Sequence, residues 1–209
     1  METAFFPNVA EESFFQLAQT YEIQLKRVNQ THFIAKKIYE HLSSIMIKHD
    51  KEEALRLIRY GANVFYMGQY INQEASSQNT FYLLTNMTID GLSHKERLAI
   101  SLIASFKSKS QLQNYAAPFK KLITKQDLKF YETIGAILKL SYILDCTHQK
   151  TIIDVDQLYK DKDGYIIQFV YVNDPYFEKF YADKYIKHLE KALKKSFRLK
   201  FVEAAVLSC

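Results

Sequence analysis

The 209-residue chain has no tryptophan, only 5 glycines and 3 prolines, and 2 cysteines. With so little Gly and Pro, helix-breaking punctuation is rare and long uninterrupted elements are expected. Cys146 and Cys209 lie far apart in sequence. A lone distant pair is no disulfide framework and points to a reducing cytoplasm. No run of about 18 apolar residues occurs, so no membrane span is expected. Residues 1–10 lack the basic stretch followed by an apolar one that a signal peptide needs. No Gly-rich loop follows a strand pattern, so no nucleotide cradle is visible, and there is no G-x-S-x-G elbow.

What is present is an ordinary core-building composition. Hydrophobic residues make up 48% of the chain, enough for one large domain or one domain with a small appendage. The net charge of +5 permits an anionic partner without demanding one.

Helix starts are legible. Asn8 with Glu11, Asp50 with Glu53, and Ser93 with Glu96 have the spacing of a capping box or its Asn/Asp relative. Thr124 with Asp127 is a weaker fourth case, and Asp174-Pro175 is a fifth start with Pro at the first helical position. Apolar stripes follow these starts: Ile34, Ile38, Leu42, Ile45; Leu98, Leu102, Ile103, Phe106; Ile134, Ile137, Leu138. Helices are expected at about 9–20, 25–48, 51–60, 75–86, 94–107 and 126–146.

After Cys146 the pattern changes. Residues 151–156 alternate, Asp161-Lys162-Asp163-Gly164 signals a hairpin turn, and 165–172 reads as a second strand. A basic amphipathic helix over about 176–195 and a last strand over 198–202 follow. The expected fold is mainly α, a helical domain over 1–148 followed by a small α/β appendage over 149–209 in the order β-β-α-β.

Six histidines give no convergent ligand set, and the single His49-Asp50 step sits where Asp50 serves better as a helix cap. Cys146 closes an apolar helix, the setting of an inert buried thiol. No catalytic residue and no metal ligand is assigned. Basic residues cluster in three places. Lys184, Lys187, Lys191, Lys194, Lys195, Arg198 and Lys200 mark the last helix and strand. Lys107, Lys109, Lys120 and Lys121 flank a polar loop, and Arg27, Arg56 and Arg59 form a looser group. Each is either a solvated face or an anion contact. Phe65, Tyr66, Tyr70, Phe81 and Tyr82 fall near helical apolar stripes, so core packing rather than nucleic-acid stacking is expected of them.

One ordered series of segments is more specific. It runs Asn79-Thr-Phe-Tyr-Leu-Leu-Thr-Asn86, Asp90-Gly-Leu-Ser-His-Lys-Glu-Arg97, then Ile137-Leu-Lys-Leu-Ser-Tyr-Ile-Leu-Asp145 and Thr147-His148-Gln149. This series resembles the C-terminal helical region of the exopolyphosphatase and guanosine pentaphosphate phosphatase family. There "YLIxN" leads into "GLSxxER" and later into "LLxLAxxLDxSH". The resemblance covers most of the chain and is clearest over about 52–150. It implies an HD-like helical domain without the HD metal signature. Arg59 and Tyr60 stand where the His-Asp pair would be, Gln78-Asn79 where a histidine cluster would be, and Arg27 at the earlier histidine position.

The resemblance further implies a non-catalytic C-terminal piece, either cut out or separately encoded. The parent would be an exopolyphosphatase whose hydrolysis, with a divalent cation such as Mg2+, belongs to an N-terminal actin-like ATPase-type domain absent here. No cofactor is expected in this chain itself. The partners implied are inorganic polyphosphate or a phosphorylated nucleotide and a second copy in a homodimer, with no membrane and no nucleic acid. The candidate anion-binding residues are Arg27, Arg59, Lys107 and Lys109, with Lys194 and Lys195 behind them. A purely structural dimerisation module, a part of a guanosine pentaphosphate phosphatase, and a degenerate HD-type nucleotide phosphohydrolase remain open alternatives.

Overall fold

The computed structural model describes residues 9–205. The fold is mainly α, with a small α/β part at the C-terminal end. At its centre stands α7 (Lys125–Ile143), buried without interruption from Phe130 to Ser141. A helix buried on every side has to be apolar all round. Most of this stretch is, and Gly135 lets Phe106 press against the helix backbone. Against α7 pack α2 (Leu25–Leu42), α3 (Lys51–Asn63) and α5 (His94–Ala104), with α1 (Val9–Thr20) against α3 and α4 (Ser76–Asn86) against α5.

The capping signals are realised. Asp50 Oδ1 accepts from Glu53 N at 2.8 Å. Ser93 with Glu96, and Thr124 with Asp127, form complete capping boxes. Each such cap is worth about 1 kcal/mol. Asn8 lies outside the described residues, so its pairing with Glu11 is not seen. Several readings need correction. The long second helix stops at Leu42, because Ser43 turns its hydroxyl back onto Glu40 O and the chain passes through a 3-10 turn, Ser43–Ile45, into extended Met46. The polar stretch read as a loop contains α6 (Lys109–Ala116), started by Ser108, whose hydroxyl accepts from Gln111 N. Its apolar face is only Leu112 and Ala116, too sparse to show as a stripe. Of the aromatics expected in the core, Tyr70 and Tyr82 are exposed.

The C-terminal elements are β1 (Ile152–Lys160), β2 (Tyr165–Tyr171), α8 (Tyr176–Leu193) and β3 (Phe197–Glu203), in sheet order β1-β2-β3. β1 and β2 form an antiparallel hairpin; β2 and β3 run parallel, joined by α8 as the crossover. In the hairpin turn Asp161 Oδ1 accepts from the backbone of Asp163 and Gly164. Gly164 sits at φ 145°, a conformation that L side chains rarely adopt. Register shifts in β1 break the simple alternation, so Ile152 and Val155 are buried while Ile153 is exposed. Pro175 precedes α8 as its cap rather than occupying its first turn, and Asp174 makes no side-chain cap there. α8 packs on α7, and β1 lies along α2, so one apolar core runs from Ala10 through the helices to Phe197.

Candidate anion-binding site

Ser108 and Thr124 cap the two helices that wall a large cleft. α6 forms one side and the first two turns of α7 the other, with Ala117–Thr124 closing one end. Leu112, Ala116 and Ile123 are buried and fix the walls in place. The groove has a volume of about 930 Å³. Five lysines line it: Lys109 from α6, Lys120 and Lys121 from the connection, and Lys125 and Lys129 from α7. Its single lining carboxylate, Glu132, is buried and already paired with Lys129 at 3.4 Å. A low-dielectric cleft carrying one sign of charge concentrates anions.

The family model described as Ppx/GppA phosphatase, domain III, matches residues 9–181, from α1 into α8. The chain belongs to the Ppx/GppA phosphatase family. Among curated proteins none matches it.

In this domain III the candidate residues do not converge on one place. Lys109 is in the lysine groove. Lys107, only two residues earlier, lines a different and smaller cavity of about 210 Å³. Lys194 and Lys195 lie together on an open, shallow surface with Lys187, Lys191 and Glu190. Arg27 of α2 lies over the Tyr142 ring at 3.5 Å, and its Nε is buried without a partner. Burial pulls the Arg27 guanidinium below its ordinary pKa, while Tyr142 and Asp145 pull it back. Arg59 pairs with Glu11 of α1 at 3.1 Å and borders a cleft of about 280 Å³ that also holds His32. Burial, followed by the charges of Arg59 and Lys36, holds the His32 pKa down.

Of the two positions of the missing HD pair, Arg59 is engaged by its ion pair with Glu11 and Tyr60 by packing. Tyr60 stacks on Phe14 at 4.8 Å between centroids. His49 stacks on Phe130 at 3.7 Å, and its neighbour Asp50 caps α3. Among the described residues no three His, Cys, Asp or Glu side chains stand together in a group that could hold a metal ion. No helix of the described residues is long and apolar enough to cross a membrane.

Five basic residues of consequence lie outside the candidate set. Lys120 and Lys121 had been noticed only as flanks of a loop. Lys125 and Lys129 are one helical turn apart, and that spacing was the available signal. Lys139 stands alone in the apolar run 134–144, where an isolated charge is itself a signal.

Proposed function

We propose that this domain III holds inorganic polyphosphate for a parent phosphatase, in the groove between α6 and α7. The observation that carries the reading is the set of five lysines with one carboxylate, already neutralised by Lys129. A linear polyanion laid in such a groove releases condensed counterions, and that release gives salt-dependent affinity without any shape-specific contact. Hydrolysis, its divalent cation and the discrimination between polyphosphate and a guanosine polyphosphate would lie with the N-terminal actin-like part of the parent. The work would be done in the cytoplasm.

The test is a titration of the chain with long-chain polyphosphate at low and moderate salt, following binding and phosphate release together. Salt-sensitive binding without release is expected. Replacing Lys120, Lys121 and Lys125 by Ser should lower the log–log salt slope by about 0.7 for each lysine. An unchanged slope and affinity would sink the groove as the site.

A second reading has its own observation. α8 opens with Tyr176, Phe177, Phe180 and Tyr181 all exposed. Four aromatics in six residues suit an isologous contact between two copies. Phe177→Ser with Phe180→Ser would then convert a dimer to a monomer in sedimentation. A wild-type chain that sediments as a monomer at high concentration would exclude this reading.

A further inference from the structure

Lys139 is a buried cation with no counter-charge. It is 7% exposed, and the charges that act on its amine are those of Lys107 and Lys184, both positive. Buried charges are normally paired, because an isolated ammonium in a low-dielectric interior loses its hydration without return. Here Nζ donates to Lys107 O at 2.6 Å and meets His188 Nε2 at 3.2 Å, and it lies 4.7 Å from the Tyr185 ring centroid. An ammonium has three hydrogens. Two are placed on neutral acceptors and the third has only the face of the Tyr185 ring.

Lys139 lines the 210 Å³ cavity that also receives Lys107, Tyr185 and Ser76. Ser76 is the first residue of α4; its N–H donates to Gln73 O at 3.3 Å, and the Ala75 N–H before it to Asn72 Oδ1 at 2.9 Å. The helix dipole adds positive potential at this end. The only carboxylate on the lining is Glu74, which is exposed at the rim. Lys139, Lys107 and a helix start therefore line one small space. Pockets for drug-sized ligands begin at about 300 Å³. The space here suits one compact ion rather than a nucleotide.

We infer that this cavity is a receptor for a single tetrahedral oxyanion of the orthophosphate class, held between Lys139 and Lys107. The site is separate from the lysine groove and does not rest on the polyphosphate reading. Burial, then the charges of Lys107 and Lys184, pushes the Lys139 amine down to about 8. Burial and the Lys139 charge push His188 down to about 4, so the imidazole is neutral and can accept from the ammonium. An anion in the cavity offsets the repulsion between the two lysines and returns the amine to its ordinary range.

The experiment is calorimetric titration of the full chain at pH 7 with orthophosphate, and with sulfate as a probe of the same shape. Saturable binding at one site is expected. Lys139→Met should weaken it at least about tenfold, the loss of one buried charge-assisted contact. Lys107→Met should weaken it several-fold. The groove variant lacking Lys120, Lys121 and Lys125 should bind as the wild type does. Equal affinity in K139M and wild type, or no saturable binding in the wild type, would overturn the site. K139M is expected to fold, since an apolar isostere relieves an unpaired buried charge. Should it fail to fold, the decision passes to phosphate protection of the wild type against thermal unfolding. Protection lost in K107M supports the site; protection retained there overturns it. The ion has two possible sources. Displacement of orthophosphate by tripolyphosphate in the groove variant marks a chain end as the source, and persistence marks the free ion; both require the Lys139 receptor.

Discussion

The guanidinium of Arg27 sits 3.5 Å above the centroid of the Tyr142 ring, and so joins α2 to the last turn of α7. Arg27 was a candidate for anion contact, yet its planar face is spent on an aromatic ring. Arg27→Ala is expected to lower stability by about 1–2 kcal/mol through the lost cation–π contact. It should leave polyphosphate affinity within about twofold of wild type. Urea unfolding and the polyphosphate titration read the two effects separately. A large affinity loss with unchanged stability would return Arg27 to the binding surface.

Glu178 ties α8 to the end of α7. It is fully buried, and its Oε1 accepts from Thr147 Oγ1 at 2.6 Å and from Thr147 N at 3.2 Å. Cys146 Sγ points at the same oxygen at 3.6 Å. Burial, followed by the Glu178 charge, pushes the Cys146 thiol up to about 11. At pH 8 roughly one thiol in a thousand is then ionised, and the fraction rises tenfold per pH unit until pH 11. In a Cys209→Ser background, alkylation of Cys146 should be slow at pH 8 and about threefold or more faster after Glu178→Gln. A thiol that reacts at the rate of a free peptide cysteine would contradict this geometry.

Gly135 has no room for a side chain. A Cβ there would stand 2.7 Å from Phe106 Cβ and Cγ. Gly135→Ala gains up to about 1 kcal/mol of helix propensity and loses more to overpacking, typically about 1–3 kcal/mol. Net destabilisation is expected, seen as a lower midpoint of thermal unfolding. Because Phe106 also meets the His188 ring edge-on at 5.8 Å, the variant should weaken orthophosphate binding as well.

The two capping boxes carry a pH signature. Burial works against the Glu96 carboxylate, but the hydrogen bonds from Ser93 and the charge of Arg56 outweigh it and hold its pKa below the usual value. Asp127 is held down in the same way by Thr124 and Lys95. A carboxylate with a lowered folded pKa contributes stability above its unfolded pKa and loses it as pH falls through the folded one. Stability should therefore decline as pH drops below about 4. Ser93→Ala together with Thr124→Ala should flatten that decline in unfolding curves taken between pH 6 and 3.

Local signals were the legible part of this chain. Asp50, Ser93 and Thr124 announce helix starts through their own side chains, and Asp161 with Gly164 announces the hairpin, because each acts on backbone within a few residues. α6 was missed because its amphipathic face is two residues wide. The lysine groove was missed as a whole because its lysines come from α6, the connection and α7, and only packing brings those three segments to one cleft. Lys107 and Lys109 belong to one group of loop-flanking lysines in the sequence, yet they line different cavities. Two residues apart, they sit on either side of the Ser108 cap of α6, and a sequence pattern carries no information about which way each one leaves it.

The way α2 meets the sheet leaves it with two unlike margins. Gln30 donates to Ile152 O and His41 Nε2 meets Val155 O at 2.8 Å, so the outward carbonyls at the start of β1 are occupied by side chains of α2. That margin is closed to further strand pairing over those residues. β3, at the other margin, has β2 as its sole strand neighbour within the described residues. A fourth strand, from another copy or from an extended peptide, would pair along β3 beyond Phe197, whose own N–H already donates to Glu190 Oε1 at 2.9 Å.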